Sequence, residues 1–319
     1  MKSNHMEDSL ITKNPAPAIA GLPVMATLLA SFLCILFGGN TVAIKISLSG
    51  LGVFSVAAIR FGIAAVVISL WAWGTHQPLR LKRTQLQHLM VIGVIFFIQL
   101  SLFIFGLSKT YASRGTLLAN IQPFFVLFLA HFFVPGDRIT GRKFLGIVLG
   151  FAGVVFVFLE QKSGGTDLRQ GDMIILAAAF VWACSAVYTK NILAGLQPFQ
   201  VVLFQTLVAA PLFLLGAGVS GEFADNRFGL EVVTAVIYQG LIATSFGFVA
   251  WNTLLQKHGA VALHSFIFLM PVTGVVLGGA VLGEPITIQI LVALVLIAAG
   301  ILIVNTRQKI PIVHPGRNV

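Results

Sequence analysis

The stretch Lys45–Phe61, KISLSGLGVFSVAAIRF, returns at Lys190–Thr206 as KNILAGLQPFQVVLFQT, with Lys45 against Lys190, Gly50 against Gly195 and Phe54 against Phe199. The offset is 145 residues, and it drifts only slightly further along the chain. At 148, Lys109 meets Lys257 and Pro123 meets Pro271; at 147, GDRIT from Gly136 meets GEPIT from Gly283, and Gly153 meets Gly300. Small drifts of this kind are what changes in loop length produce. The chain therefore divides into two related units, 23–159 and 173–305, joined by 160–172 and flanked by 1–22 and 306–319.

Composition says what kind of unit this is. Of 319 residues, 57% are hydrophobic and 9% charged, and mean hydropathy is +0.97, too little polar surface to cover a water-soluble domain of this size. Apolar runs of about 20 residues, the length that crosses the hydrocarbon of a bilayer, follow one another throughout. Ten are predicted: 23–47, 52–73, 87–108, 114–134, 142–159, 173–193, 198–219, 232–255, 260–282 and 286–305. Each unit holds five. An odd number of crossings forces the second copy to enter the membrane from the opposite side, so the expected fold is an all-α integral membrane protein of ten transmembrane helices in two inverted five-helix repeats. In that architecture a site between the repeats can open to either face by rocking equivalent parts.

Net charge is +10 and the isoelectric point about 10.1, a balance that would suggest nucleic acid in a soluble protein. Here the basic residues lie mostly in loops. With the amino terminus inside, thirteen Lys and Arg fall in cytoplasmic segments and five in outer ones, which predicts both termini in the cytoplasm and an anionic lipid leaflet, not nucleic acid, as the partner of that charge. Residues 1–22 lack the pattern of a cleaved signal, so the first span is expected to serve as the insertion signal. Cys34 and Cys184 both lie in spans and imply no disulfide framework.

Polar residues within spans mark the faces turned toward protein or water. In the fourth span Ser113, Thr116, Asn120 and His131 share a stripe, because 116 to 120 and 120 to 131 are close to whole turns. Tyr238, Ser245 and Asn252 recur every seven residues in the eighth, Ser31, Gly38 and Lys45 with Thr41 nearby in the first, and Trp182, Ser185 and Thr189 form a strip in the sixth. The repeat offset lays His264 over Thr116. Such groups either hydrogen-bond between packed helices or line a polar path. Lys45 stands close enough to a span end to extend its amine to the interface, whereas Arg60 lies deeper; the two approach the same side of the bilayer and are candidate contacts for a carboxylate or phosphate.

No Asp or Glu falls inside the spans, which disfavours coupling through a buried carboxylate and leaves His131 and His264 as candidate proton carriers. Nor does a nucleophile, base or metal cluster stand at lipid depth, so an enzyme is not expected and nothing calls for a cofactor or metal. Glycines at Gly146, Gly150 and Gly153, and again at Gly274 and Gly278, are spaced for close helix contact. Pro123 and Pro271 are expected to bend their helices at matched depths.

FGGNTVAIK (37–45), Arg60 with Phe61, NIQPFFVLFLAHFFVPGDRITGRKFLGIVLGFAGV (120–154), GDMIILAAAFVWACSAVYTK (171–190) and FLMPVTGVVLGGAVLGEPITIQILVALVLIAAGILIV (268–304) together resemble the drug/metabolite transporter superfamily, and within it the ten-helix exporters built from two EamA-type domains. The resemblance covers 23–305. It implies a central cavity lined by helices 1, 3, 4, 6, 8 and 9, with 5 and 10 set aside for packing. It further implies export of amino acids or other small metabolites across a bacterial inner membrane. Transferred to this sequence, it nominates Asn40, Thr41, Gln99, Asn120, Trp182, Tyr188, Ser245, Asn252 and His264 as contacts for a small-molecule substrate. A monomer and a homodimer both stay open, as do an organic-anion or phosphorylated-metabolite exchanger and, in another class, a channel or a membrane sensor.

Overall fold

The computed structural model describes residues 23–79, 81–134, 139–160, 166–192, 196–258, 263 and 266–305; His264 lies outside them. Ten helical segments follow in order: α1 Val24–Leu48, α2 Val53–Gly74, α3 Arg83–Lys109, α4 in two pieces (Ala112–Ala119 and Gln122–Phe133), α5 Gly141–Leu159, α6 Thr166–Ile192, α7 Pro198–Val219, α8 from Leu230 to His258, α9 Leu269–Leu282 and α10 Ile288–Asn305. Among the described residues nine of these are long and apolar enough to cross a bilayer, and α9 is a shorter apolar helix. Helices are what such sequences must form in lipid, where only internal hydrogen bonds can satisfy the backbone.

The helix ends depart from the hydropathy reading where charge intervenes. α3 begins at Arg83 instead of 87, and α6 begins at Thr166 instead of 173, so its first turns occupy part of the expected 160–172 linker. Asp167, Arg169 and Asp172 end the apolar run in the sequence, but Asp172 is neutralised inside the bundle and the helix passes through it.

The turns sort into two ends, the near end where α1 begins and the far end where it finishes. At the far end the α1–α2 turn meets the α7–α8 loop (Arg227 N–H to Gly50 O, 2.7 Å), and the α3–α4 turn meets the α9–α10 turn through Glu284. At the near end the α6–α7 turn meets the α2–α3 turn, with Gln200 Nε2 donating to Pro78 O at 2.7 Å. α1 thus starts at one end and α6 at the other. The repeats are inverted.

Packing shows the relating two-fold directly. Trp71 of α2 packs on Phe199 of α7, ring centroids 5.5 Å apart, and the Phe54 ring of α2 lies 2.8 Å from where a Cβ on Gly216 of α7 would sit. Under the 145 offset Phe54 becomes Phe199 and Trp71 becomes Gly216, so each contact is the image of the other. α5 and α10 repeat this at the 147 offset: Gly146 lies against Gly300, and Gly153 against Ala293, again an exchanged pair. A Cβ added to Gly300 would stand 2.7 Å from Gly146 O, closer than real side chains approach. The small residues set this contact distance.

Three helices depart from regularity at mid-bundle. α4 breaks at Asn120–Ile121 immediately before Pro123, which sits in the first turn of the second piece, and Pro271 sits likewise in the first turn of α9. Proline has no N–H to give and clashes with the preceding turn, so both helices restart there. Between Tyr238 and Phe248, α8 opens to the wide π spacing, and the Ser245 hydroxyl donates to Gly240 O at 2.7 Å, five residues back. Such widened turns gather at functional sites.

Candidate functional site

The stretch FGGNTVAIK shows why helix α1 carries polar residues. Gly38 brings α1 against α9: a Cβ there would lie 2.6 Å from Met270 O and 2.7 Å from Thr273 Cβ. Gly39 makes room for α8, where the Tyr238 hydroxyl donates to Leu36 O at 2.8 Å. Thr41 is buried, and the Asn40 amide oxygen is buried with no hydrogen-bond partner among the described residues. Lys45 does not reach free interface; its Nζ donates to Leu107 O on α3 at 2.9 Å.

Other elements bring polar groups to the same depth. At 1.5 Å per residue, Asn40, Arg60, Gln99, Asn120 and Tyr238 all stand roughly 10–15 Å from the far ends of their helices. Arg60 is buried and its Nε donates to Thr244 Oγ1 of α8 at 3.0 Å. Gln99 is buried and hydrogen-bonds to no described residue. Thr116 Oγ1 is buried without a partner among the described residues and its side chain packs against Gly274 of α9, the glycine that Gly38 also approaches. Asn120 Nδ2 turns back to Thr116 O at 2.8 Å, leaving its oxygen outside that bond. Thr116 therefore lies where α4 meets α9 beside Gly38 of α1, whereas Asn40 shares by helix phase the α1 face of Ala43 and Ser47 that Gln239 of α8 binds, and Arg60 and Tyr238 stand on the α2–α8 side.

The remaining nominated residues are spread more widely. Ser245 is buried and bonded within its own widened turn, and Asn252 donates to Phe248 O at 2.8 Å toward the near end. Tyr188 meets His88 Nδ1 at 3.0 Å, joining α6 to α3 at the near end. Trp182 is 46% exposed, on the face of α6 opposite Met173, half a helical turn away by phase. His131 differs from expectation. It is exposed at the near end, where Nδ1 faces the Ile139 N–H at 3.4 Å, since the break in α4 removes it from the phase of Ser113, Thr116 and Asn120.

Hydropathy conceals a second set of residues at the far end. Arg114, predicted as an outer-loop charge, is buried; its guanidinium pairs with Asp172 and with Glu160. Thr110 donates to Asp172 at 2.7 Å and Thr287 to Glu160 at 2.6 Å, so this network ties α3, α4, α5, α6 and the start of α10. Glu222 accepts from the Phe54 and Ser55 N–H groups at 3.2 and 2.7 Å, and Glu284 from Ala112 and Ser113. Both carboxylates sit where the free N–H groups and dipole of a helix start favour an anion. Gln239, fully buried, binds α8 to α1 through Ala43 O and Ser47 Oγ at 3.1 and 2.7 Å. The paired GDRIT and GEPIT segments were the sequence signal for Glu284; the Arg114 partners left none.

Residues 24–159 and 169–306 each match the model of the EamA-like transporter family. The chain belongs to that family. Relatives of this EamA-like transporter include an uncharacterized transporter of Bacillus subtilis, 26% identical over 284 residues, spanning 88% of this chain and 92% of the relative. An Escherichia coli protein described as a probable amino-acid metabolite efflux pump is 27% identical over 284 residues, spanning 86% of this chain and 93% of its own. The Salmonella typhimurium protein of the same description is 27% identical over 286 residues, spanning 86% and 93%. A solved crystal structure superposes with a TM-score of 0.66 at 22% identity, over 88% of this chain and 96% of that one, a likeness of fold. These relatives are transporters, not enzymes, and the chain is a multi-pass membrane protein.

Proposed function

We propose that this EamA-like transporter exports small polar or zwitterionic metabolites, amino acids foremost, by alternating access through a site between the inverted repeats. The observation that carries the reading is that Asn40 Oδ1 and Thr116 Oγ1 are buried without hydrogen-bond partners among the described residues, with the buried Gln99 at a depth close to that of Asn40. Buried polar atoms left unpaired are costly unless a ligand or water answers them. Two relatives described as probable amino-acid metabolite efflux pumps support amino acids as the solute class. The far end is tied together by Glu222, Glu284 and Gln239, as suits one state of a carrier closed at that end. Positive-inside counting supports a closed end facing out of a bacterial inner membrane and both termini in the cytoplasm.

A channel would also need polar lining but no closure that alternates. Counterflow separates the two. In proteoliposomes holding the purified chain, uptake of a radiolabelled amino acid should accelerate when the same amino acid is loaded on the opposite side. Flux indifferent to the opposite side would overturn the carrier reading in favour of a pore.

A further inference from the structure

Arg60 and Arg114 are the buried cations among the described residues, and of the two only Arg114 is paired with a carboxylate. Arg114 holds two carboxylates, Asp172 and Glu160. Lys45 is bonded to the Leu107 carbonyl and lies within the electrostatic reach of Glu284. Arg60 is 3% exposed, and no described carboxylate pairs with it. Its Nε is taken by Thr244, its guanidinium carbon stands 4.8 Å from the Phe61 ring centroid, and the hydroxyl of Tyr238 donates to Leu36 O. The two terminal NH2 groups bond to no described residue. A guanidinium so placed presents a planar fork that fits two oxygens of one oxyanion, and leaving it without an anion in a low-dielectric interior is costly.

We infer that Arg60 is the specificity-determining residue that receives the carboxylate of the transported zwitterion. This rests on the transporter reading above and names the feature of the solute that the site selects. Thr244 fixes the fork from α8, and the widened turn around Gly240 lets α8 approach α2 closely enough to do so: a Cβ on Gly240 would lie 2.9 Å from Arg60 O. Because Lys45 is committed elsewhere, the site offers one positive charge. A single charge matches a carboxylate better than a doubly charged phosphate ester, which separates this site from that of a phosphorylated-metabolite exchanger. Arg60 and Lys45 do not act as one anion site.

The test uses full-length protein in proteoliposomes, with L-threonine and L-phenylalanine as labelled probes and their methyl esters, together with inorganic phosphate, as competitors. Wild type should exchange at least one of the amino acids, and its ester and phosphate should compete about ten- to hundredfold more weakly than the free acid, the worth of hydrogen bonds to a charged group. Arg60→Gln should raise KM by a similar factor and erase the difference between acid and ester, while Arg60→Lys should restore part of it. Equal competition by ester and acid in wild type overturns the inference without any variant, so a variant that fails to fold does not rescue it. Exchange of neutral solutes alone, or preference for phosphate, overturns Arg60 as a carboxylate site while leaving transport standing. If no solute moves at all, both readings fall.

Discussion

The Glu284 carboxylate holds the first turn of α4, with Oε1 accepting the Ala112 N–H at 2.5 Å and Oε2 the Ser113 N–H at 2.8 Å. Glu284 follows Gly283, whose φ of +66° turns the chain back over the end of α9 in a conformation that glycine adopts at little cost. Gly278 leaves space for the carboxylate, since a Cβ there would lie 2.8 Å from Oε2. One acid thus closes α9 over α4 at the far end. Glu284→Gln keeps the shape and loses the charge, so the clamp should loosen; Glu284→Ala, which loses both bonds, should loosen it further. Maleimide labelling of Ala112→Cys, in a background with Cys34 and Cys184 replaced by alanine, should accelerate in that order. Unchanged labelling would mean that the clamp does not hold this end shut.

The Arg114 network makes a separate prediction about stability. Arg114 and Asp172 are side chains 4% and 0% exposed, whereas the Lys109–Asp167 pair spans 3.7 Å with Asp167 82% exposed. Removing one member of a buried pair typically costs about 3–5 kcal/mol, and Glu160, which stays on Arg114 when Asp172 is lost, offsets part of that cost. An exposed pair contributes about 0–1 kcal/mol. Asp172→Ala should therefore lower the melting temperature in detergent sharply, and Asp167→Ala should scarcely move it. Comparable shifts in the two variants would show that the Arg114 network does not anchor the helix ends.

How much of this was legible in the chain depends on what kind of signal each feature leaves. The inverted repeat was readable because identities such as Lys45 with Lys190 and Gly153 with Gly300 persist at nearly constant offset, and the Phe54–Gly216 and Trp71–Phe199 contacts follow from it. Asn40, Thr41, Gln99 and Asn120 were found from their positions in apolar runs, and the structure brings them to a common depth. Arg114 and Asp172 read as span-end charges because burial of a charge is decided by its partner in space, which hydropathy does not contain. His131 was placed by counting turns through a helix that stops at Asn120 and restarts at Gln122, so the phase did not carry across. Thr244 gave no period to count, because the widened turns of α8 change the number of residues per turn.

Glycines in the two repeats should respond to substitution according to what lies opposite them. Gly146→Val and Gly300→Val place side chains against the facing backbone of α10 and α5, where even a Cβ would come within 2.9 and 2.7 Å of a carbonyl oxygen. Helix backbone cannot yield there, so both should abolish folded protein as measured by size-exclusion chromatography. Gly62 of α2 has nothing within 4 Å of the position a Cβ would take, and Gly62→Ala should be tolerated or should stabilise by up to about 1 kcal/mol, the helix propensity gained. Survival of Gly300→Val would contradict the close contact of α5 with α10.

Asn40 allows stability and transport to be pulled apart. Its Oδ1 is buried on α1 without a partner among the described residues, so it stands as a desolvated acceptor that no bond between the described helices offsets. If Asn40 were there for packing, truncating its amide would weaken the fold. If it is there for solute or the water that replaces solute, Asn40→Leu removes an unmet acceptor, and thermal stability should stay level or rise while exchange of the transported amino acid collapses. Val42→Ala, two residues further on and likewise buried, is the control for a general change in α1 and should leave transport closer to wild type. A fall in melting temperature for Asn40→Leu with transport intact would assign Asn40 to packing and remove it from the site.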